Sequence, residues 1–149
     1  MSIKDQLMAD MKQAMKDREA GKLALSTIRM VRASIKKFEI DNQTELDDDG
    51  VLQILMKEVK MRQDSLEEFK KANRAELVAQ AEGEIAILKK YLPEALSDEE
   101  LKAIVAETIA EVGATSPKDI GKVMPKVMAK TKGRADGKRI NAIVRGLLN

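Results

Sequence analysis

The 149-residue chain contains no cysteine, no histidine and no tryptophan. Without cysteine it can form no disulfide, no thiolate nucleophile and no zinc–sulfur site. Without histidine it lacks the commonest general base and metal ligand. Aromatic residues make up only 2% of the chain, as Phe38, Phe69 and Tyr91, which argues against base-stacking platforms for RNA. No apolar run approaches the roughly 20 residues of a membrane span. The N-terminus is charged from Lys4 onward, without the apolar stretch of a secretory leader. These features predict a soluble, cytoplasmic protein with no metal, no cofactor and no membrane partner.

What remains is aliphatic and charged: 44% hydrophobic and 35% charged residues, with nine methionines. That balance supports a real core inside a heavily charged surface, with methionine filling gaps between branched side chains. The charge is unevenly placed. From residue 113 to the end there are nine Lys or Arg against two acids, or +7, whereas residues 1–112 sum to −5. A basic end on an acidic body points towards a polyanion.

Apolar residues recur at helical spacing throughout, and no stretch alternates with period two over a useful length. Ser2 and Asp5 resemble a capping box for a first helix carrying Leu7, Met8, Met11 and Met15, with Gly21 as its left-handed cap. A second helix is expected over 22–40 and a polar loop over 41–50. A third helix follows over 48–71, and a fourth is capped by Asn73 with Glu76. The methionine and leucine stripes of the first three helices read as buried core. Pro93 cannot continue the fourth helix and marks a domain boundary, giving 1–92 and 93–149. Beyond it, Ser97 and Glu100 open a helix closed by Gly113, and Ser116-Pro117 opens the next. Pro125 predicts a kink or break in that helix. Gly133 marks a turn, and Asp136 caps a last helix bearing Ile140, Val144 and Leu148. The fold class is therefore all-α, a four-helix domain followed by a small three-helix domain.

Residues 116–139 carry the strongest functional signal, with eight Lys or Arg against Asp119 and Asp136. Lys118, Lys122, Lys126 and Lys130 recur every four residues, which lines them up on one face of a helix. Lysines so spaced suit phosphates rather than base edges. The candidate nucleic-acid contacts are Lys122, Lys126, Lys130, Lys132, Arg134, Lys138 and Arg139. Gly121, Gly133, Asp136 and Pro93 are read as shape-setting. Two other motifs dissolve on inspection. The acidic run 45–50 imitates a calcium loop but has Met56 where a bidentate Glu is required, so its acids read as a loop and cap. The Gly133–Lys138 segment lacks the spacing, the Ser/Thr and the preceding strand of a phosphate loop. No catalytic residues can be named.

The chain resembles the YqeY family of small bacterial proteins over nearly all of its length. The resemblance rests on Met11-Lys12, Asp17, Lys22-Leu23, Arg29, Glu39-Ile40, Arg74, Leu77, Glu84-Ile85 and Tyr91-Leu92-Pro93. Its most distinctive parts are Gly121-Lys-Val-Met124 and Gly133-Arg-Ala-Asp136-Gly-Lys138. It implies the GatB/YqeY type of all-α fold, whose C-terminal domain is similar to the tail of the B subunit of aspartyl/glutamyl-tRNA amidotransferase. That tail holds the tRNA body and is not catalytic. The resemblance therefore implies a tRNA-binding accessory protein of aminoacyl-tRNA metabolism. It also implies two alternatives: an adaptor for an aminoacyl-tRNA synthetase or amidotransferase, and a component of a carbon–nitrogen ligase using glutamine as amido donor.

Overall fold

The computed structural model describes residues 1–149. It contains seven α-helices and no strand, so the all-α expectation holds. The helices are α1 (Ile3–Lys16), α2 (Lys22–Asn42), α3 (Asp48–Lys71), α4 (Ala75–Lys89), α5 (Asp98–Val112), α6 (Ile120–Thr131) and α7 (Gly137–Leu148). Short 3₁₀ turns precede α2 and α6. The chain divides into two compact units, Met1–Leu92 and Pro93–Asn149.

In the first unit, Ile28, Val31 and Ile35 of α2 bury one stripe against Leu7 of α1, Val51, Leu55 and Val59 of α3, and Ile85 and Leu88 of α4. Each such side chain contributes about 1.5–3 kcal/mol of burial. Beside this aliphatic core lies a charged one. Arg62 donates to Glu58 at 2.6 Å and to Glu84 at 2.8 Å, while Ser34 donates to the other Glu58 oxygen at 2.7 Å. The cluster ties α2, α3 and α4 together, and all three charged side chains are largely buried. Tyr91 donates its phenol proton to Asp10, fixing the end of α4 to α1. Burial, and then that hydrogen bond, hold the Tyr91 phenol well above its ordinary pKa.

Several local expectations change. Gly21 does not cap α1 in the left-handed region, since α1 stops at Lys16 and Gly21 has φ −96°. The left-handed residue of that turn is Arg18. Gly21 serves close packing instead: a Cβ there would lie 2.2 Å from the carbonyl oxygen of Ala14. The expected loop over 41–50 is shorter, because α2 runs on to Asn42 and ends on Gln43 in the left-handed region. Asn73 does not cap α4. It adopts φ 55° within the three-residue link from α3 to α4, a conformation asparagine tolerates better than most residues. The methionine stripe of α1 is core only in part: Leu7 is buried and Met11 packs against the core from a half-buried position, but Met8 is half-buried and Met15 is 51% exposed.

The second unit closes over Leu101 and Val105 of α5, Val123 and Val127 of α6, and Ile140, Val144 and Leu148 of α7. Ser97 caps α5 by accepting from the Glu100 N–H at 3.1 Å, and Gly113 ends it at φ 67°. The capping box before α6 is formed by Ser116 and Asp119. Pro125 does not break α6, which runs unbroken from Ile120 to Thr131. Proline removes the bond to the carbonyl of Gly121, but both residues are exposed, so water can satisfy that oxygen. Three buried threonines, Thr27, Thr108 and Thr131, each donate a hydroxyl to the carbonyl four residues earlier, which lets them sit in apolar surroundings.

Candidate nucleic-acid interface

On α6 the buried row is Val123, Val127 and Thr131. Lys122, Lys126 and Lys130 stand one residue before each member of it. The lysine row therefore runs along one flank of the helix rather than opposite its core. That flank faces α5 at its C-terminal end, where Lys130 donates to Thr108 at 3.0 Å and to Glu111 at 2.9 Å. The Lys130 hydrogen bond, aided by the charge of Lys126, holds the Glu111 carboxyl below its usual range. Lys122 keeps only a 4.0 Å approach to Asp119, and its side chain is 72% exposed. Asp119 itself is turned inward. It accepts from the Thr115 and Ser116 N–H groups at 2.9 and 3.4 Å, and the Thr115 bond is the chief reason its pKa is lowered.

The turn from α6 to α7 takes its shape from Gly133, which is buried with φ 78°. A side chain is disfavoured in that left-handed conformation. Arg134 beside it is drawn inward: its Nε donates to the Glu94 carbonyl at 2.9 Å, and its own carbonyl accepts from the Leu96 N–H. Asp136 caps α7 by accepting from the Arg139 N–H at 2.8 Å. The carboxylate thus occupies the helix start that a phosphate would need. The Arg139 guanidinium folds back on Asp98, with contacts of 3.1 and 2.6 Å.

The seven candidate cations therefore fall into two groups. Lys130, Arg134 and Arg139 are spent on α5 and the segment before it, drawing on acids that precede residue 113 in the chain. Lys122, Lys126, Lys132 and Lys138 are exposed, as is Lys118 just before α6. This partition was invisible in the sequence, where no acid follows Asp119 until Asp136. It also revises the charge picture. The unit Pro93–Asn149 holds ten Lys or Arg against eight Asp or Glu, a balance of +2, because α5 and its approach bring in six acids.

A family model described as Yqey-like protein matches residues 4–148. The chain is a member of the YqeY-like family. A protein of Lachancea thermotolerans named "Altered inheritance of mitochondria protein 41, mitochondrial" is 34% identical over 145 residues, covering 93% of this chain and 76% of its own length. A protein of the same name from Pyrenophora tritici-repentis is 30% identical over 131 residues, covering 87% and 71%. Another, from Kluyveromyces lactis, is 36% identical over 115 residues, covering 74% and 60%. These names correct two expectations drawn from sequence. The YqeY-like relatives are fungal rather than bacterial, and they are called mitochondrial, which overturns the cytoplasmic assignment.

Proposed function

We propose that this YqeY-like chain is a non-catalytic RNA-binding protein that grips the phosphate backbone of folded tRNA with its C-terminal unit. The observation that carries the reading is the division of labour among the cations of residues 116–139. The fold spends Lys130 on Glu111, Arg139 on Asp98 and Arg134 on the Glu94 carbonyl, and leaves Lys122, Lys126 and Lys138 exposed on and around α6. Lys122, Lys126 and Lys138 are the primary phosphate contacts, and Lys132 is exposed beside them. Lys130, Arg134 and Arg139 set the surface that presents them, and reach phosphate only where it displaces a carboxylate. Gly133 and Asp136 hold the turn between α6 and α7. Ammonium groups on flexible stems, in a unit that contains no aromatic residue for stacking, suit backbone and shape recognition rather than base reading. The resemblance of this unit to a tRNA-holding tail supports tRNA as the polyanion.

The test is anisotropy of labelled bulk tRNA over a salt series. Each phosphate neutralised should contribute about 0.7–0.9 to the slope of log K against log salt. Four lysines acting together should give a slope of roughly −3, falling towards zero in K122A/K126A/K132A/K138A. A slope that the four substitutions leave unchanged would refute the reading.

A further inference from the structure

The groove between α1 and α2, in the unit Met1–Leu92, has properties that core packing does not account for. Two contacts fix the register of this antiparallel pair: Lys4 meets Glu39 at 2.5 Å, and the Arg32 guanidinium reaches the Met11 sulfur at 3.1 Å. On α2, Arg29, Arg32 and Lys36 each follow a buried core residue by one position, after Ile28, Val31 and Ile35. They therefore share one flank, spaced i, i+3 and i+7. On α1, Met8, Met11 and Met15 repeat the same spacing. The result is a three-methionine strip about 10 Å long, bordered by three cations.

None of those three cations forms an ion pair. The only polar partner of Arg32 is a thioether, a weak acceptor, although the fold holds carboxylates close by. Glu39 is committed to Lys4 and to the Leu46 N–H at 2.6 Å. Asp5 lies in the first turn of α1, where the helix dipole favours it. A concavity of about 350 Å³ opens at this end of the groove, with Met8, Arg32 and Lys36 in its wall. Methionine strips adapt to varied apolar surfaces, and an amphipathic helix laid in such a groove is anchored at i, i+3 or i+4 and i+7.

We infer that the α1/α2 groove docks an amphipathic helix of a protein partner that carries a row of acidic residues along one edge. The apolar strip would receive the partner's aliphatic anchors, and Arg29, Arg32 and Lys36 would receive its carboxylates. A phosphate backbone satisfies the cations but makes no use of Met8 and Met15, which stay partly in water. The apolar strip beside the cations therefore selects an acidic amphipathic helix over RNA.

The test is a phage-displayed library of helical peptides selected against the immobilised full chain. Enriched peptides should be amphipathic with acidic edges. Their affinity should fall about tenfold or more in R29E/R32E/K36E, as expected when three interface charges are reversed, and measurably in M8A/M15A. K122E/K126E should leave it unchanged. R29Q/R32Q/K36Q, which reverses no charge, guards against a folding defect and should give a smaller loss in the same direction. Enriched peptides that are basic or not helical would overturn the assignment. So would equal binding to wild type and the triple variants. If the triple variants instead lose labelled tRNA and no acidic helix is enriched, the groove belongs to phosphate and the inference fails.

Discussion

Gly21 and Gly121 are the same residue under opposite constraints. A methyl at Gly21 would strike the backbone of Ala14, which cannot rotate away, whereas nothing lies within 4 Å of the position a Cβ would take at Gly121. Gly21→Ala should destabilise the protein by about 3 kcal/mol, as overpacking against backbone does. Gly121→Ala should stabilise it by about 0.5–1 kcal/mol by lowering the entropy lost in a helix. Urea denaturation of both variants checks the pair, and equal effects would show that α1 does not approach α2 as closely as described. The lysines divide in the same way. Lys130→Ala removes the partner of Glu111 and Thr108 and should lower the midpoint of thermal unfolding. Lys122→Ala, at an exposed site, should leave stability within about 0.5 kcal/mol. Sequence spacing put both lysines on one helix flank, but it could not reveal that α5 brings a carboxylate to one and not the other. That depends on a tertiary contact 19 residues away.

Helix existence was legible because aliphatic periodicity and Ser, Asp and Gly punctuation act locally. Ser97, Gly113 and Asp136 do what their residue types suggest. The failures were also physical. Asn73 can cap a helix or turn left-handed, and the short link between α3 and α4 selects the second role. The Arg62 cluster is not legible in the sequence because Glu58, Arg62 and Glu84 carry the same local signature as solvated helix charges, and only packing shows that they are buried. Arg62→Met would leave two carboxylates without a counter-charge and should cost about 3–5 kcal/mol. Replacing Glu58, Arg62 and Glu84 together with apolar residues of similar size should recover much of that loss, as chemical denaturation would show. The box before α6 makes a pH prediction. The N–H groups of Thr115 and Ser116 lower the Asp119 pKa, so its contribution is complete above the unfolded value and is lost as pH falls through the folded one. Glu39, held down by Lys4 and then by the Leu46 N–H, behaves likewise. Asp119→Asn should reduce the loss of stability on acidification, measured as the midpoint of thermal unfolding between neutral pH and pH 3. An unchanged acid limb would mean that the box is not formed in solution.

Across the whole molecule, two compact units carry different surfaces. The first is electrically balanced, with seventeen Lys or Arg against seventeen Asp or Glu, and presents a methionine strip with unpaired cations. The second sorts its charges, placing acids on and before α5 and exposed lysines on and around α6. The dipolar layout of the sequence changes sign near residue 113, whereas the units divide at Pro93. Net charge by unit therefore understates the local positive field that a polyanion would meet. On this account the exposed lysines, and not Lys130, Arg134 and Arg139, grip an RNA backbone. The most direct measurement is the salt dependence of tRNA binding for wild type, for K122A/K126A/K132A/K138A and for R29Q/R32Q/K36Q. The account predicts a steep slope in wild type, near loss of binding in the first variant and little change in the second. Absence of binding at low salt, or a slope carried equally by the α2 cations, would contradict it.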